Sequence, residues 1–230
     1  MLTLRAAFRD GTASVLATDL AGGGDLRNAM AAWPAGIPPP LALDLALQVA
    51  TAVEHMHGRG VAHCDLKPEN VLLSRPLSSA GGSAATVAQV ADFGMAACFD
   101  PDVHGFQPVF VDGGTLDYMG IEGLRGDGHD PRAADAHALG VLLCELLCGH
   151  RPYLVADDEA GCPDAHRQAR ASRPDLSHRV WRDVDDEVLR LVKALLCAEW
   201  WERPSAREAV MVLEEAVCRS RDMDLLCAME

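Results

Sequence analysis

His63-Cys64-Asp65-Leu66-Lys67-Pro68-Glu69-Asn70, followed downstream by Asp92-Phe93-Gly94, decides how this chain is read. The first stretch sets a carboxylate, an ammonium and an amide close together, and the second adds another carboxylate just ahead of a glycine. Such a set offers a proton acceptor, a cation and hard oxygen donors within one short unit. Lys67 is not drawn from a background of surface lysines, because Lys193 is the only other lysine in the chain. Asp-Phe-Gly alone also serves ordinary turns, so the weight rests on the block before it.

Around this block the sequence alternates strand and helix signals. Residues 4–9 and 14–20 read as two short strands with Asp10-Gly11 between them. Gly22-Gly23-Gly24-Asp25-Leu26 then opens a polar helix start. Leu45, Val49, Val53 and Met56 recur at helical spacing before Gly58 and Gly60. Val71-Leu72-Leu73 and Val87 to Ala91 read as strands, separated by a Ser/Ala/Gly-rich insertion at 77–86. A long irregular segment runs on to Glu122. Leu139 to Cys148 is apolar nearly all round, the mark of a helix buried on every side. A further helix begins near Asp185-Asp186-Glu187, and Ser205 with Glu208 forms a capping box for a last one through Val217.

Composition narrows the class. The chain has 230 residues, 49% of them hydrophobic, enough for one large domain or one lobe of a two-lobed fold. A net charge of −14 argues against nucleic acid or an anionic membrane as partner. No apolar run approaches the ~20 residues of a membrane span. The eight cysteines follow no metal-binding spacing, and Cys144 with Cys148 reads as a pair of small buried hydrophobes. Reduced thiols and a cytoplasmic location, with the nucleus also open, follow from the lack of a signal sequence. Cys227-Ala228-Met229-Glu230 has the outline of a prenylation box but ends unusually, and reads as a frayed end.

Together with Gly114-Thr115-Leu116-Asp117-Tyr118-Met119-Gly120-Ile121-Glu122, the two motifs resemble the catalytic loop, metal-binding segment and substrate loop of eukaryotic-type protein kinases, of the serine/threonine type. The resemblance covers about residues 4–217. It implies an α+β, protein-kinase-like fold that is mainly the helical C-terminal lobe. Residues 1–21 would be a remnant N-lobe hairpin and hinge, 22–217 the C-lobe and 218–230 a tail. Within the C-lobe, 63–70 would be the catalytic loop and 92–122 the activation segment. The implied reaction moves the terminal phosphate of ATP, with Mg2+, to serine or threonine hydroxyls of a protein substrate.

The same resemblance distributes roles. Asp65 would orient the acceptor hydroxyl and accept its proton, Lys67 would steady the phosphate, and Asn70 and Asp92 would hold Mg2+. Thr18 takes the gatekeeper position, and Asp19 to Ala21 would offer backbone to adenine. Leu72 would pack beneath the adenine ring, or simply serve the core. Thr115 belongs to the substrate loop, Glu122 would pair with Arg203, and Asp135 would cap the buried helix and bond the catalytic loop. Gly120-Ile121 replaces the family's Ala-Pro before the glutamate, which is expected to loosen that turn. Asp25, Glu69 and Glu145 stand where the cyclic-AMP-dependent group places acids that bind substrate arginines, implying basic substrates. The other reading puts Asp25 on ribose and leaves the two glutamates structural.

Two departures matter. Cys64 stands where many kinases carry an arginine that reads an activation-segment phosphate, and from Met95 to Met119 only Thr115 and Tyr118 bear hydroxyls. No phosphoswitch is expected there. The family also places a glycine-rich loop, an ion-pairing lysine and a helix glutamate ahead of the hinge, whereas residues 1–17 contain no lysine and no G-x-G-x-x-G. That implies a kinase truncated at its N-lobe, or one completed by a partner covering the exposed hairpin. The alternative is a noncatalytic, pseudokinase-like binding or regulatory module.

Overall fold

A computed structural model of the chain describes residues 3–77, 86–102, 109 and 113–227, with side chains up to residue 221. Two strands, β1 (Leu4–Asp10) and β2 (Ala13–Thr18), form an antiparallel hairpin around Gly11, whose φ of 58° suits the tight turn. The register runs from Leu4 opposite Thr18 to Asp10 opposite Ala13, with an irregularity between Leu4 and Ala6. All of β1 is exposed, and only Val15 of β2 is half-buried.

The chain then enters the body through Gly22-Gly23-Gly24. Gly23 donates its N–H to the Leu73 carbonyl at 2.8 Å, and Leu73 donates back to Gly24 at 2.8 Å. A side chain at Gly23 would collide with the Arg75 carbonyl, so a glycine is required by close approach. Helix α1 (Leu26–Met30) follows, capped by the Asp25 carboxylate. Helix α2 (Pro39–His57) begins with proline in its first turn, where no N–H is missed, and buries Leu45, Val49, Val53 and Met56.

Four short strands frame the central loops. Strand β3 (Val61–Ala62) pairs with β6 (Ala97–Cys98), while β4 (Val71–Leu73) pairs with β5 (Ala88–Val90). Residues 78–85 of the Ser/Ala/Gly-rich insertion, and 103–108 and 110–112 of the irregular segment, lie outside the described residues.

The remaining helices are α3 (Ile121–Arg125), α4 (Pro131–Cys148), α5 (Pro163–Arg170), α6 (Asp186–Leu195) and α7 (Ala206–Cys227). Helix α4 is the axis of the fold. Its residues from Asp135 to Cys148 are all buried, packed by α2 and α6. It starts at Pro131, well before Leu139, with Asp130 as its cap, so Asp135, expected at the cap, lies inside the helix. Asp135 and His137 are buried polar groups that break the apolar pattern in sequence. Gly140 lies against Leu195 and Leu196 so closely that a Cβ would have to displace them, which lets α4 and α6 touch.

Helix α7 packs along α2 and starts on the expected box: Ser205 donates its N–H to Glu208 at 2.8 Å, and Glu208 donates back to Ser205 Oγ at 3.3 Å. It runs past Val217 to Cys227, so the expected tail is helical as far as it is described, while residues 228–230 of the end read as frayed lie outside the described residues. Surface pairs hold that extension, with Arg219 on Asp185 at 2.8 Å and Arg221 on Asp44 at 2.8 Å. No helix among the described residues is long and apolar enough to cross a membrane.

Candidate active site

Asp135 organises the catalytic loop from below. Its side chain is fully buried on α4 and accepts the backbone N–H of His63 at 2.8 Å and of Cys64 at 2.8 Å. His57, at the end of α2, approaches the same carboxylate at 2.9 Å. Three elements therefore converge on one anion, whose burial is tolerable only because its lone pairs are used. His63 in turn spans the loop: Nε2 lies 2.9 Å from the Ala91 carbonyl, and Nδ1 accepts the Asp65 N–H at 3.3 Å. The Ala91 contact assigns the proton to Nε2, leaving Nδ1 as acceptor.

Cys64 and Asp92 both adopt φ of 61°, the left-handed region that non-glycine residues avoid. These are the described non-glycine residues with positive φ, and they flank the predicted site from both motifs. The Cys64 thiol is pushed up to about 12, first by burial and then by the nearby Asp135 charge, so it stays neutral and carries no anionic chemistry.

Asp65 is the centre of the arrangement. Oδ2 takes the Lys67 ammonium at 2.7 Å, while Oδ1 takes the Thr115 N–H at 2.9 Å and its hydroxyl at 2.8 Å. Lys67 also donates to Thr115 Oγ1 at 2.7 Å. Burial alone would raise the Asp65 carboxyl, but the bonds from Lys67 and Thr115 outweigh it and hold the group below its ordinary value. Asp65 is therefore an anion at neutral pH.

Asn70 is oriented by this anion. Its Nδ2 donates to the Asp65 carbonyl at 2.8 Å and to Oδ2 at 3.2 Å, which fixes the amide and turns Oδ1 away from Asp65. The Asn70 carbonyl accepts the Ala91 N–H at 2.9 Å, so Asp92 is held one residue from Asn70. Asp92 itself is exposed and accepts the Gly94 N–H at 3.2 Å. An amide oxygen and an exposed carboxylate are hard donors that fit a small divalent cation, with water completing its shell.

The hinge side is less open. Thr18 is exposed and pairs with Leu4. The Asp19 N–H is bonded to the Thr3 carbonyl at 3.1 Å, and its carboxylate holds Arg5 at 2.5 and 2.9 Å. Ala21 accepts the Gly24 N–H at 3.3 Å. Both Asp25 oxygens face α1, on the Asn28 N–H at 2.8 Å and the Asn28 amide at 2.6 Å. Leu72 is half-buried and bridges Asp25.

Glu122 and Arg203 meet in a buried two-bond ion pair at 2.6 and 2.8 Å, and Arg203 also donates to the Ala133 and Cys197 carbonyls. A side chain at Gly120 would strike the Glu122 carboxylate. The glycine thus leaves room for the pair and is the N-cap residue of α3.

Two arginines escape a motif-based reading. Arg27 of α1 holds Glu69 at 2.8 Å and Glu145 at 2.7 Å, the glutamates expected to meet substrate arginines. Arg170 of α5 is buried without a carboxylate at ion-pair distance among the described residues, and burial lowers its guanidinium to about 10. It donates to the Leu116, Asp117 and Met119 carbonyls and lies 4.2 Å over the Tyr153 ring, clamping the loop that carries Thr115. The buried Glu145 on α4 signalled a partner; nothing in sequence spacing pointed to which one.

The sequence pattern of the protein kinase domain matches residues 1–212. This chain belongs to the protein kinase family, among its eukaryotic serine/threonine members. CBL-interacting protein kinase 4 of Oryza sativa subsp. japonica is 35% identical over 182 residues, 79% of this chain and 36% of that protein. Calcium/calmodulin-dependent protein kinase cmkA of Emericella nidulans is 32% identical over 164 residues, 71% of the chain and 36% of that kinase. Serine/threonine-protein kinase ksp1 of Schizosaccharomyces pombe is 38% identical over 180 residues, 76% of the chain and 35% of its own length. The chain thus spans about a third of the length of these curated relatives. Kinases of this family act on protein substrates and generally use ATP and Mg2+.

Proposed function

We propose that this chain carries the catalytic half of a serine/threonine protein kinase, with Asp65 as the group that receives the acceptor hydroxyl. One observation carries the reading: Asp65 is held as an anion by Lys67 and Thr115, beside an Asn70 amide that it orients. In the reaction the acceptor oxygen forms a bond to the terminal phosphorus of ATP, the bond to ADP breaks, and the hydroxyl proton passes to Asp65. Lys67, which already donates to Asp65, would meet the negative charge of the transferring group. Asn70 and Asp92 would hold Mg2+, which supplies neutralisation of the phosphate oxygens. Asp135, His57 and His63 act by positioning, since they fix the backbone on which Asp65 rides.

Phosphate contacts from the N-terminal side are the part that residues 1–17 do not offer, and a further segment or a partner would supply them. A second reading, a noncatalytic kinase-like module, is favoured by the hinge: the Asp19 N–H is already bonded to Thr3. Incubating the protein with Mg-ATP and a serine/threonine peptide library separates the two. Phosphotransfer that Asp65→Asn abolishes supports the kinase. Absence of transfer, together with no Mg-ATP shift in melting temperature, overturns it in favour of the module.

A further inference from the structure

Arg27 occupies a notch with three acceptors beside the catalytic loop. Its Nη1 and Nη2 reach the Glu145 carboxylate at 2.7 and 3.3 Å, and Nη2 also meets Tyr118 Oη at 2.5 Å. Nε donates to Glu69 at 2.8 Å. Tyr118 closes the network by donating its own hydroxyl to Glu145 at 2.5 Å. Four elements meet here: α1 through Arg27, the catalytic loop through Glu69, the substrate loop through Tyr118 and the central helix through Glu145.

The electrostatics explain why the notch holds a guanidinium. Glu145 is 5% exposed on an otherwise apolar stretch of helix, and a desolvated carboxylate requires a cation or several donors. A planar fork meets that need with paired bonds that an ammonium cannot match. Burial works against the Arg27 charge, yet Glu145, Tyr118 and Glu69 hold it above its ordinary range. The side chain is still 34% exposed, so the notch opens on the face where Glu69 meets solvent.

We propose that Arg27 is a specificity-determining residue that fills this acidic notch from within and so excludes an arginine of the substrate. The inference rests on the kinase reading above and sharpens it: Glu69 and Glu145 do not select basic substrates, because their partner is already built in. A substrate arginine would exchange one guanidinium for another with no gain in hydrogen bonds. It would also displace a group whose backbone is fixed by the Asp25 cap and the fully buried Leu26. A tethered, ordered competitor outcompetes a free one at ordinary concentrations.

The test compares the full chain with its Arg27→Ala and Arg27→Lys variants, folding being checked by circular dichroism. Acceptor peptides that differ only by one arginine, scanned through the flanking positions, are titrated by calorimetry, and N-ethylguanidinium is titrated alongside by melting temperature. With Arg27→Ala, at least one arginine peptide should bind about tenfold tighter than its alanine counterpart, and N-ethylguanidinium should raise the melting temperature. The wild-type ratio should be about one, with no guanidinium shift. Should Arg27→Ala not fold, Arg27→Lys serves, with a ratio above the wild-type value. An equal arginine preference in wild type and variant, or no preference and no guanidinium binding in a folded variant, overturns the proposal. Phosphotransfer to an arginine-free peptide is followed in parallel. No transfer by the wild-type chain and no Mg-ATP shift, with the arginine preference gained in the variant, defeats only the kinase reading. Wild-type transfer with no arginine preference gained in the variant defeats only the role of Arg27.

Discussion

The β1–β2 hairpin and the α4–catalytic-loop unit are built on opposite principles. In the hairpin, Leu4, Phe8 and Leu16 are 55%, 54% and 67% exposed, and a surface pair, Arg5 with Asp19, and the Asp19–Thr3 backbone bond link it to the hinge. A two-stranded ribbon of this kind is marginal by itself, and its open edges suit further pairing. In the α4 unit, Leu139, Leu142, Leu143 and Leu146 are fully buried, and three buried carboxylates each hold a partner: Asp135 holds the loop, Glu145 holds Arg27, Glu122 holds Arg203. The lesson is that the proposed chemistry sits on the packed half, where the catalytic and substrate loops are fastened to buried carboxylates. The hairpin contributes little to that rigidity.

Substitutions can break this contrast. The largest loss belongs to Glu122→Ala, which strands Arg203 as a buried charge; about 3–5 kcal/mol of stability should disappear in denaturant unfolding. Asp135→Asn keeps the shape but removes one strong acceptor, at a cost of about 1–3 kcal/mol, and should shift the His63 and Cys64 amide resonances. A smaller effect concerns pH. The Asp65 carboxyl lies below its ordinary value in the fold, so its contribution is complete above an unfolded aspartate's value of about 4 and fades as pH falls through the folded value. Its carbon resonance should therefore titrate below about 3.9, and Lys67→Ala should move the midpoint upward. Least affected of all, Phe8→Ala and Leu16→Ala in the hairpin should change stability by no more than about 0.5 kcal/mol. A loss above ~2 kcal/mol there would show the hairpin to be part of the core, and the contrast would fall.

Much of the architecture was legible because periodicity and capping chemistry are local. The Ser205–Glu208 box, the Asp185 start of α6 and the glycines after α2 marked their helices directly. Helix α4 was legible by periodicity only in its apolar half; Asp135, expected as its cap, lies within it because Asp130 caps the helix, and the partners of Asp135 and His137 are brought to them only by the fold. Helices α3 and α5 went unread: the first spans only Ile121–Arg125, and the second is polar on most of its surface.

At the site, the motif residues Asp65, Lys67 and Asn70 come together as expected from their spacing along one loop. What spacing could not convey is long-range pairing. Arg27 lies 118 residues from Glu145 in sequence, and Arg170 lies 51 residues from the Met119 carbonyl it clamps, so neither belongs to a motif. Glu69 and Glu145 were legible as charges in search of a cation; that the cation is internal required the fold.

The buried Asp135 carboxylate has one more consequence, for motion. Loop amides normally trade hydrogen with solvent quickly, but those of His63 and Cys64 end on an acceptor that solvent never reaches. In deuterium they should exchange as slowly as the amides inside α4, reporting the opening of the whole helical body rather than any loop fluctuation. The segment proposed to handle substrate would then be kinetically part of the core, and a ligand would find it already in place.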